Sequence, residues 1–590
     1  MIYKEFRVVA RSFLVVVVSS VCITTTGLGQ SAEKKTGSPL EPTWIAKLEE
    51  RPFITALPDG TLVGCFNRTV DGAAEVAARF SRDSGRTWSA PETVVHLPTA
   101  KGNFSLFLVF ADRKSEVHLF FLNDAGTTAS RAQAGPNAES IERRLDIWHT
   151  KSTKGVKDWQ PVRMIHQGFA SHLNSVIQLK SGRIVVPFAS LTKRTWKDRG
   201  EGFDAYTYMG QYDCTTIYSD DDGETWHKSP AALKVETPDI RTYGAVEPVV
   251  LELKDGRVWM LMRTQRGRFW ESFSNDGVVW SAAQPTSIFS SDSPAGLLRL
   301  KDGRIALFWN ACLRASYAFG GRPVLHFAIS EDEGKTWRGY REVARDPLSS
   351  EPPPPSGDWG TAYPFPIATK EGKILLRTGQ GRGRNFLLLV DPEWAYETYQ
   401  ASDFSAGGAD WSTFGTKGIE VLPHPAKAGA KALSVRKPEA AWPATAVWNF
   451  PMGEKGRLRL RLMLKSGFQG ALVGLTDHYS VPFDYEDQFF NLYNFEIGPN
   501  GQVANGGKME MDRWLTLQFD WDTVKRDARV SVDGRQVAVL PLLRNSYGVC
   551  YLRLRSTAAS TDTAGFLIES AEADTSQSWK GNSANSRRAH

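Results

Sequence analysis

Six residues of this chain pair useful side-chain chemistry with a place beside a strand-forming segment. Glu247 stands just ahead of the hairpin Leu253–Met260, and Arg263 closes the second strand, in the run Val246-Glu247-Pro248-Val-Val-Leu-Glu-Leu-Lys-Asp255-Gly256-Arg-Val-Trp-Met-Leu-Met-Arg263. A carboxylate and a guanidinium so placed can move a proton and grip an anion, or form a plain cross-strand pair. Tyr363 precedes another hairpin, in Trp359-Gly-Thr-Ala-Tyr363-Pro-Phe-Pro. Its phenol offers an ionisable hydroxyl, or is simply half-buried on a strand edge. Arg322 lies eight residues before Ser330, with Arg314 as a rival, and Arg51 leads Arg51-Pro52-Phe-Ile ahead of the first hairpin. Asp71, in Asn67-Arg-Thr-Val-Asp71-Gly72, is the only Asp between Asp59 and Asp83. Its carboxyl group is titratable, and the plain alternative is an ordinary Asp-Gly turn.

Such distant residues can meet only if the chain brings many short loops to one place, and the repeats provide for that. The octet Ser-x-Asp-x-Gly-x-Thr-Trp occurs at Ser81–Trp88, Ser219–Trp226 and Ser330–Trp337. A copy one residue shorter runs from Ser274 to Trp280, and a degenerate one, Ser152–Trp159, has Lys154 at the Asp position. Asp and Ser can bond turn amides, Gly takes the unusual φ and Trp packs beneath, so the octets are structural devices joining strands. Hairpins turning at Asp59-Gly60, Ser181-Gly182, Asp255-Gly256, Asp302-Gly303 and Glu371-Gly372, with a looser sixth at Phe110–Leu122, give six units of about four strands each. The expectation is an all-β chain: a six-bladed β-propeller over residues 40–398, then an antiparallel β-sandwich over 403–573 after a Gly/Ser-rich link, then a disordered tail over 575–590. A propeller gathers the loops of every blade at one mouth of its channel.

On its octets the chain resembles the sialidase superfamily of Asp-box propellers over roughly residues 45–390. The pattern of strand, Val-Asp-Gly-Arg and strand near Asp533-Gly534 resembles concanavalin-like modules. The first resemblance implies a site on matching positions. Glu247 would activate the nucleophile, Tyr363 would be that nucleophile, and Arg263 and Arg322 would hold the substrate carboxylate. Arg51 would be the first arginine, although it stands directly before Pro52, one residue out of the family's Arg-hydrophobic-Pro register. Asp71 would be the acid/base. The chemistry is coherent: a neutral Tyr avoids the repulsion that a carboxylate nucleophile would meet at a sugar bearing its own carboxylate on the anomeric carbon, and Arg offers a permanently charged fork. The implied activity is exo-acting removal of terminal sialic acid, or a related acidic sugar, from glycans by a retaining mechanism. Other readings are a glycosidase or lyase acting on other acidic polysaccharides, and a non-catalytic glycan-binding propeller.

Composition narrows the field. Lys plus Arg number 71 against 65 Asp plus Glu, and a net charge of +6 over 590 residues carries no nucleic-acid signature. No cofactor or metal is expected, since no metal-ligand motif is present; Gly379–Arg384 does not open a helix as a phosphate loop would, and no persuasive Ser-His-Asp set exists. Cys65, Cys214, Cys312 and Cys550 form no CxxC pair and read as buried thiols, with one disulfide left open. Lys4, Arg7 and Arg11 ahead of the apolar run Phe13–Ile23 form a secretory leader over 1–30. The expected place is therefore secreted or periplasmic, with a glycan or glycoconjugate as partner and no membrane insertion after cleavage. Two further features could line a mouth: His172 in Ser171-His172-Leu-Asn174, and the aromatic loop Lys193–Cys214.

Overall fold

The computed structural model describes residues 38–45, 50–98, 101–124, 145–194, 210–235, 243–312, 322–349, 359–381, 384–414, 417–504 and 507–576. The leader over 1–30, Arg314, residues 195–209 of the aromatic loop and residues 577–590 of the tail lie outside the described residues.

The chain is all-β. Its described residues up to Val390 make six antiparallel sheets in sequence order. The first holds Phe53–Ala56, Leu62–Val70, Ala73–Ser81 and Glu92–His96; the second is built on Asn103–Ala111, Val117–Asp124, Leu145–Lys154 and Arg163–His166. The third holds Ile177–Gln178, Ile184–Arg194, Gly210–Ser219 and His227–Lys228, and the fourth Ala245–Glu252, Val258–Thr264, Arg268–Ser274 and Gln284–Phe289. Gly296–Arg299, Ile305–Trp309, Val324–Ser330 and Arg338–Arg345 form the fifth. The sixth takes Phe365–Ala368, Ile374–Thr378 and Phe386–Val390, and is completed by Thr43–Trp44 from the start of the described chain. First strands touch in turn: sheet one with two, three with four, four with five, five with six, and six with one. Sheets two and three share a core of Phe120, Ile147, Val186 and Phe188.

The octets explain how the sheets abut. In the third sheet the Asp221 carboxylate accepts from the Thr225 amide at 2.8 Å, the Thr225 hydroxyl at 2.5 Å and the Ser219 hydroxyl at 2.8 Å. Ser219 Oγ in turn accepts from the Gly223 amide at 2.8 Å. The first and fifth sheets repeat this arrangement at Asp83 and Asp332. In the first, the Thr87 hydroxyl and amide hold the Asp83 carboxyl at about 2. Gly223 sits at φ +85°, and a Cβ there would come within 2.9 Å of His118 of the second sheet. Gly85 meets Leu375 of the sixth sheet in the same way. Each turn therefore needs glycine both for its backbone and for contact with the preceding sheet. Replacing Asp221 by Ala removes three hydrogen bonds and is expected to cost about 1–2 kcal/mol. A urea midpoint unchanged from wild type would contradict that role.

Residues 399–576 form two more antiparallel sheets. One contains Ile419–Pro423, Lys431–Lys437, Asp562–Ser576, Lys455–Leu464, Trp514–Asp522, Asp527–Val532 and Arg535–Pro541, with Tyr399–Ser402 on its long strand. The other contains Trp411–Thr413, Thr445–Gly453, Val549–Ser556, Ala471–Thr476 and Tyr493–Ile497. Strict alternation along Trp514–Asp522 turns Leu515, Leu517, Phe519 and Trp521 inward, as period-two geometry requires. They meet Trp448, Leu552 and Ile568 in a core drawn from both sheets. Thr575 and Ser576, expected in a polar tail, are instead the last rungs of a strand, opposite Gly456 and Lys455. Their polarity misled the reading: Thr575 is fully buried and satisfies its hydroxyl on the Thr398 carbonyl at 3.1 Å.

This part docks on the fifth sheet through buried polar groups. Tyr551 Oη donates to Glu342 at 2.8 Å and meets His326; Arg345 donates to Ser412 Oγ at 2.7 Å; the Tyr479 amide donates to the Ala311 carbonyl at 2.7 Å. The sheet that carries Arg322 is thereby braced from outside. The four cysteines Cys65, Cys214, Cys312 and Cys550 are all free and buried.

Candidate active site

Near the starts of the first strands of the fourth, fifth and sixth sheets, residues from those three sheets converge. Tyr363 Oη donates to Glu247 Oε1 at 2.8 Å. Arg263 Nη1 donates to Glu247 Oε2 at 2.5 Å and to Tyr363 Oη at 3.3 Å. The phenol oxygen thus has a base on one side and a cation on the other. Arg263 Nε donates to Asp292 Oδ1 at 2.7 Å, and the Tyr243 hydroxyl and the Gln265 amide (3.2 Å) also reach that carboxylate. Arg322 donates through Nε and Nη2 to the Asp292 carbonyl at 3.2 and 2.5 Å, and through Nη1 to Gln380 Oε1 at 2.5 Å. Its guanidinium stands 5.9 Å from the Tyr363 ring. Arg263 and Arg322 are each only 1% exposed, so both guanidiniums, Arg263 with its two carboxylate partners, act where water screens charge least.

Local backbone geometry aims these groups. Glu247 (φ +50°) and Tyr363 (φ +62°) both occupy the left-handed region, at a cost of about 1–3 kcal/mol each for such residues. The strand pairing of the fourth sheet slips between Val246 and Val249, which rotates Glu247 out of the regular alternation. Ahead of Tyr363, the Thr361 amide donates to the Arg322 carbonyl at 2.8 Å. A Cβ on Gly360 (φ +113°) would come within 2.3 Å of that oxygen, so only glycine allows the approach.

Residues 60–376, more than half of the chain, match the BNR repeat-like domain family. The chain belongs to this family, within the sialidase superfamily. This BNR-repeat protein is also 26% identical over 370 residues to a sialidase of Micromonospora viridifaciens, an alignment covering 57% of this chain and 51% of the relative. It therefore spans about half the length of that curated relative. Among solved structures it is similar to a protein of unknown function from Dyadobacter fermentans, at 17% identity and TM-score 0.43, with 60% of this chain and 98% of the other covered. Trypanosoma rangeli sialidase aligns at 14% identity and TM-score 0.38, with 89% and 91% covered.

Of the six residues singled out in the sequence, the BNR-repeat protein brings Glu247, Arg263, Arg322 and Tyr363 together. It does not bring Asp71 to them. Asp71 lies at the exposed tip of the hairpin joining Leu62–Val70 to Ala73–Ser81, at φ +49° beside Gly72 at +82°, the backbone of a tight Asp-Gly turn. Arg51 points elsewhere too: its Nη2 donates to the carbonyls of Gly381 and Arg384, the latter at 3.2 Å. Asp292, Gln380 and Tyr243 were missed. A signal existed for the first of these. Ser293-Pro294 leads into the first strand of its sheet as Arg51-Pro52 and Tyr363-Pro364 do, Glu247-Pro248 lies within the first strand of its own, and Asp292 is the neighbour of Ser293. Among the described residues one group could hold a metal ion, Asp112, Glu116 and His118, in the hairpin of the second sheet. Lys151 Nζ already sits 2.9 Å from the Glu116 carboxylate.

His172 does face the site: its ring centroid is 4.8 Å from that of Tyr363 and 4.2 Å from that of Phe107, and its Nδ1 meets Asn174 Oδ1 at 2.6 Å. Burial pushes the imidazole down to about 4, against smaller upward pulls from Glu247 and Asn174. The ring is neutral in the folded state near neutrality, whereas an unfolded His protonates near 6.5. The stability it contributes is therefore complete above about pH 6.5 and is lost as pH falls through about 4. His172→Gln should lose less stability than wild type between pH 7 and pH 4, by roughly 3 kcal/mol. Parallel denaturation curves at the two pH values for both proteins would refute it.

Proposed function

We propose that the six sheets are the blades of a six-bladed β-propeller followed by an antiparallel β-sandwich. On this reading the protein, exported on its leader, is an exo-acting sialidase-like glycoside hydrolase that removes a terminal sialic acid, or a related acidic sugar, from glycans with retention. The observation that carries the reading is the contact of Tyr363 Oη with both Glu247 and Arg263. In the proposed first step the phenol oxygen attacks the anomeric carbon as the glycosidic bond to the aglycone oxygen breaks; the phenol proton passes to Glu247 Oε1 along the 2.8 Å hydrogen bond, and the departing aglycone oxygen takes its proton from solvent. Arg263 steadies the charge developing on the phenol oxygen. Arg263 and Arg322 together receive the sugar carboxylate, each offering a guanidinium fork. In the second step water releases the sugar from Tyr363, and the phenol recovers its proton. The exposed place of Asp71 gives no support to an acid/base role there.

The test is release of 4-methylumbelliferone from its sialoside, with the first-formed sugar anomer followed by NMR. Retention is expected. A folded protein inert on all sialosides, or one whose first product is inverted, would refute the reading. The position of Arg51 favours a second reading, a uronic or other acidic sugar cleaved by hydrolysis or elimination. An unsaturated product absorbing in the near ultraviolet would identify a lyase, and glycan binding without turnover would identify a binding protein.

A further inference from the structure

Four buried arginines among the described residues are held by oxygen acceptors. Arg263 has Glu247 and Asp292, Arg322 has the Asp292 carbonyl and Gln380, Arg341 has Glu397 and Gln400, and Arg553 has Ser480 and the carbonyls of Val481 and Asp484. Arg377 differs. It lies in the second strand of the sixth sheet opposite Phe365 and is 8% exposed. Among the described residues its guanidinium has no hydrogen-bond or ion-pair partner, and Nε is sealed from solvent with its donor unused. What it has is aromatic: the guanidinium carbon lies 4.5 Å from the centroid of Phe53 and 5.0 Å from that of Phe365. Arg51 is close enough to repel it, and burial together with that repulsion pulls it down to about 9. His172, which touches Tyr363, feels the same charge.

A buried cation without a counter-charge is costly, and a ring-stacked guanidinium recovers only part of that cost. The cost is relieved if an anion arrives from outside. We propose that Arg377, with Arg51 beside it, forms a second oxyanion subsite on the first-sheet side of Tyr363, which takes a carboxylate or sulfate substituent of the glycan other than the carboxylate held by Arg263 and Arg322. The glycan part of this inference rests on the function proposed above; the anion affinity of Arg377 does not. Arg377 pairs in register with Phe365, two residues past Tyr363, so a substrate carrying two acidic groups engages both sites, and one carrying a single acidic group leaves Arg377 uncompensated.

The experiment is titration of inorganic sulfate at constant ionic strength, read by calorimetry and thermal unfolding, on wild type, Arg377→Met, Arg377→Lys and Arg322→Met. Met fills the slot between Phe53 and Phe365 without charge. Sulfate should stabilise wild type, and Arg377→Met should bind it about 10-fold more weakly or worse, as loss of a charge-assisted contact implies. Without sulfate, Arg377→Met should melt at or above the wild-type temperature, because an uncompensated charge has gone. The proposal fails if Arg377→Met keeps wild-type sulfate affinity while Arg322→Met loses it. It fails equally if Arg377→Met melts well below wild type without sulfate and Arg377→Lys restores the melting temperature without restoring sulfate binding, for then the guanidinium is only a structural stack. A second arm compares a sulfated oligosaccharide with its desulfated counterpart. Wild type should prefer the sulfated form about 10-fold and Arg377→Met should not; equal binding of both by wild type overturns the glycan assignment. Absence of sialoside turnover would sink the proposed activity while leaving the sulfate result standing.

Discussion

Tyr363→Phe should lower kcat/KM on an aryl sialoside by roughly 10³-fold or more, with little change in melting temperature. The substitution keeps the ring, and with it the contact to His172 and the stack under Arg322. It removes one oxygen, the atom bonded to Glu247 and approached by Arg263. Glu247 retains Arg263 as its partner, so no buried carboxylate is stranded and the structural cost is that of one lost hydrogen bond, about 1 kcal/mol. This separation of effects makes the variant informative. Activity close to wild type would remove the phenol from the chemistry, and a large drop in melting temperature would mean that the hydroxyl is chiefly structural. The residual rate also bears on mechanism: if Glu247 can activate water directly in the variant, the residual product should be inverted.

The second large effect falls on stability. Arg263→Met leaves Glu247 and Asp292, 7% and 5% exposed, without the cation that lies between them. Removing one partner of a buried ion pair typically costs about 3–5 kcal/mol, because the remaining charge stays desolvated. Here two carboxylates lose the same partner, so the upper end of that range is expected. Equilibrium urea denaturation of the variant against wild type measures it. The double change Arg263→Met with Glu247→Gln should be less destabilised than Arg263→Met alone, since it removes one of the stranded charges. A loss below about 1 kcal/mol in the single variant would mean that water reaches the cluster and screens it.

The contrast between the octets and the site shows which physical information is local. Ser219, Asp221, Gly223 and Thr225 satisfy one another within seven consecutive residues, so the turn can be read from the string that forms it. The hairpins at Asp59-Gly60 or Asp302-Gly303 are legible for the same reason. Glu247 and Arg263 lie on paired strands of one hairpin, and their meeting follows from antiparallel register. Tyr363 joins them only because the sixth sheet approaches the fourth across the fifth, a relation across a sequence separation of 116. Asp292 and Gln380 carry no motif, and their roles arise from the atoms that happen to face Arg263 and Arg322. Asp71 and Arg51 show the converse: spacing that matches a pattern does not set where a hairpin tip points or which carbonyl captures a guanidinium.

The sequence by itself determined an all-β chain, its repeating turn and the places where strands begin, because each rests on contacts between near neighbours. Only the tertiary structure decided which charges are buried together, which arginine is left without an acceptor and which residues hold left-handed backbone. Those outcomes depend on desolvation and packing between sheets, and both are properties of the assembled chain.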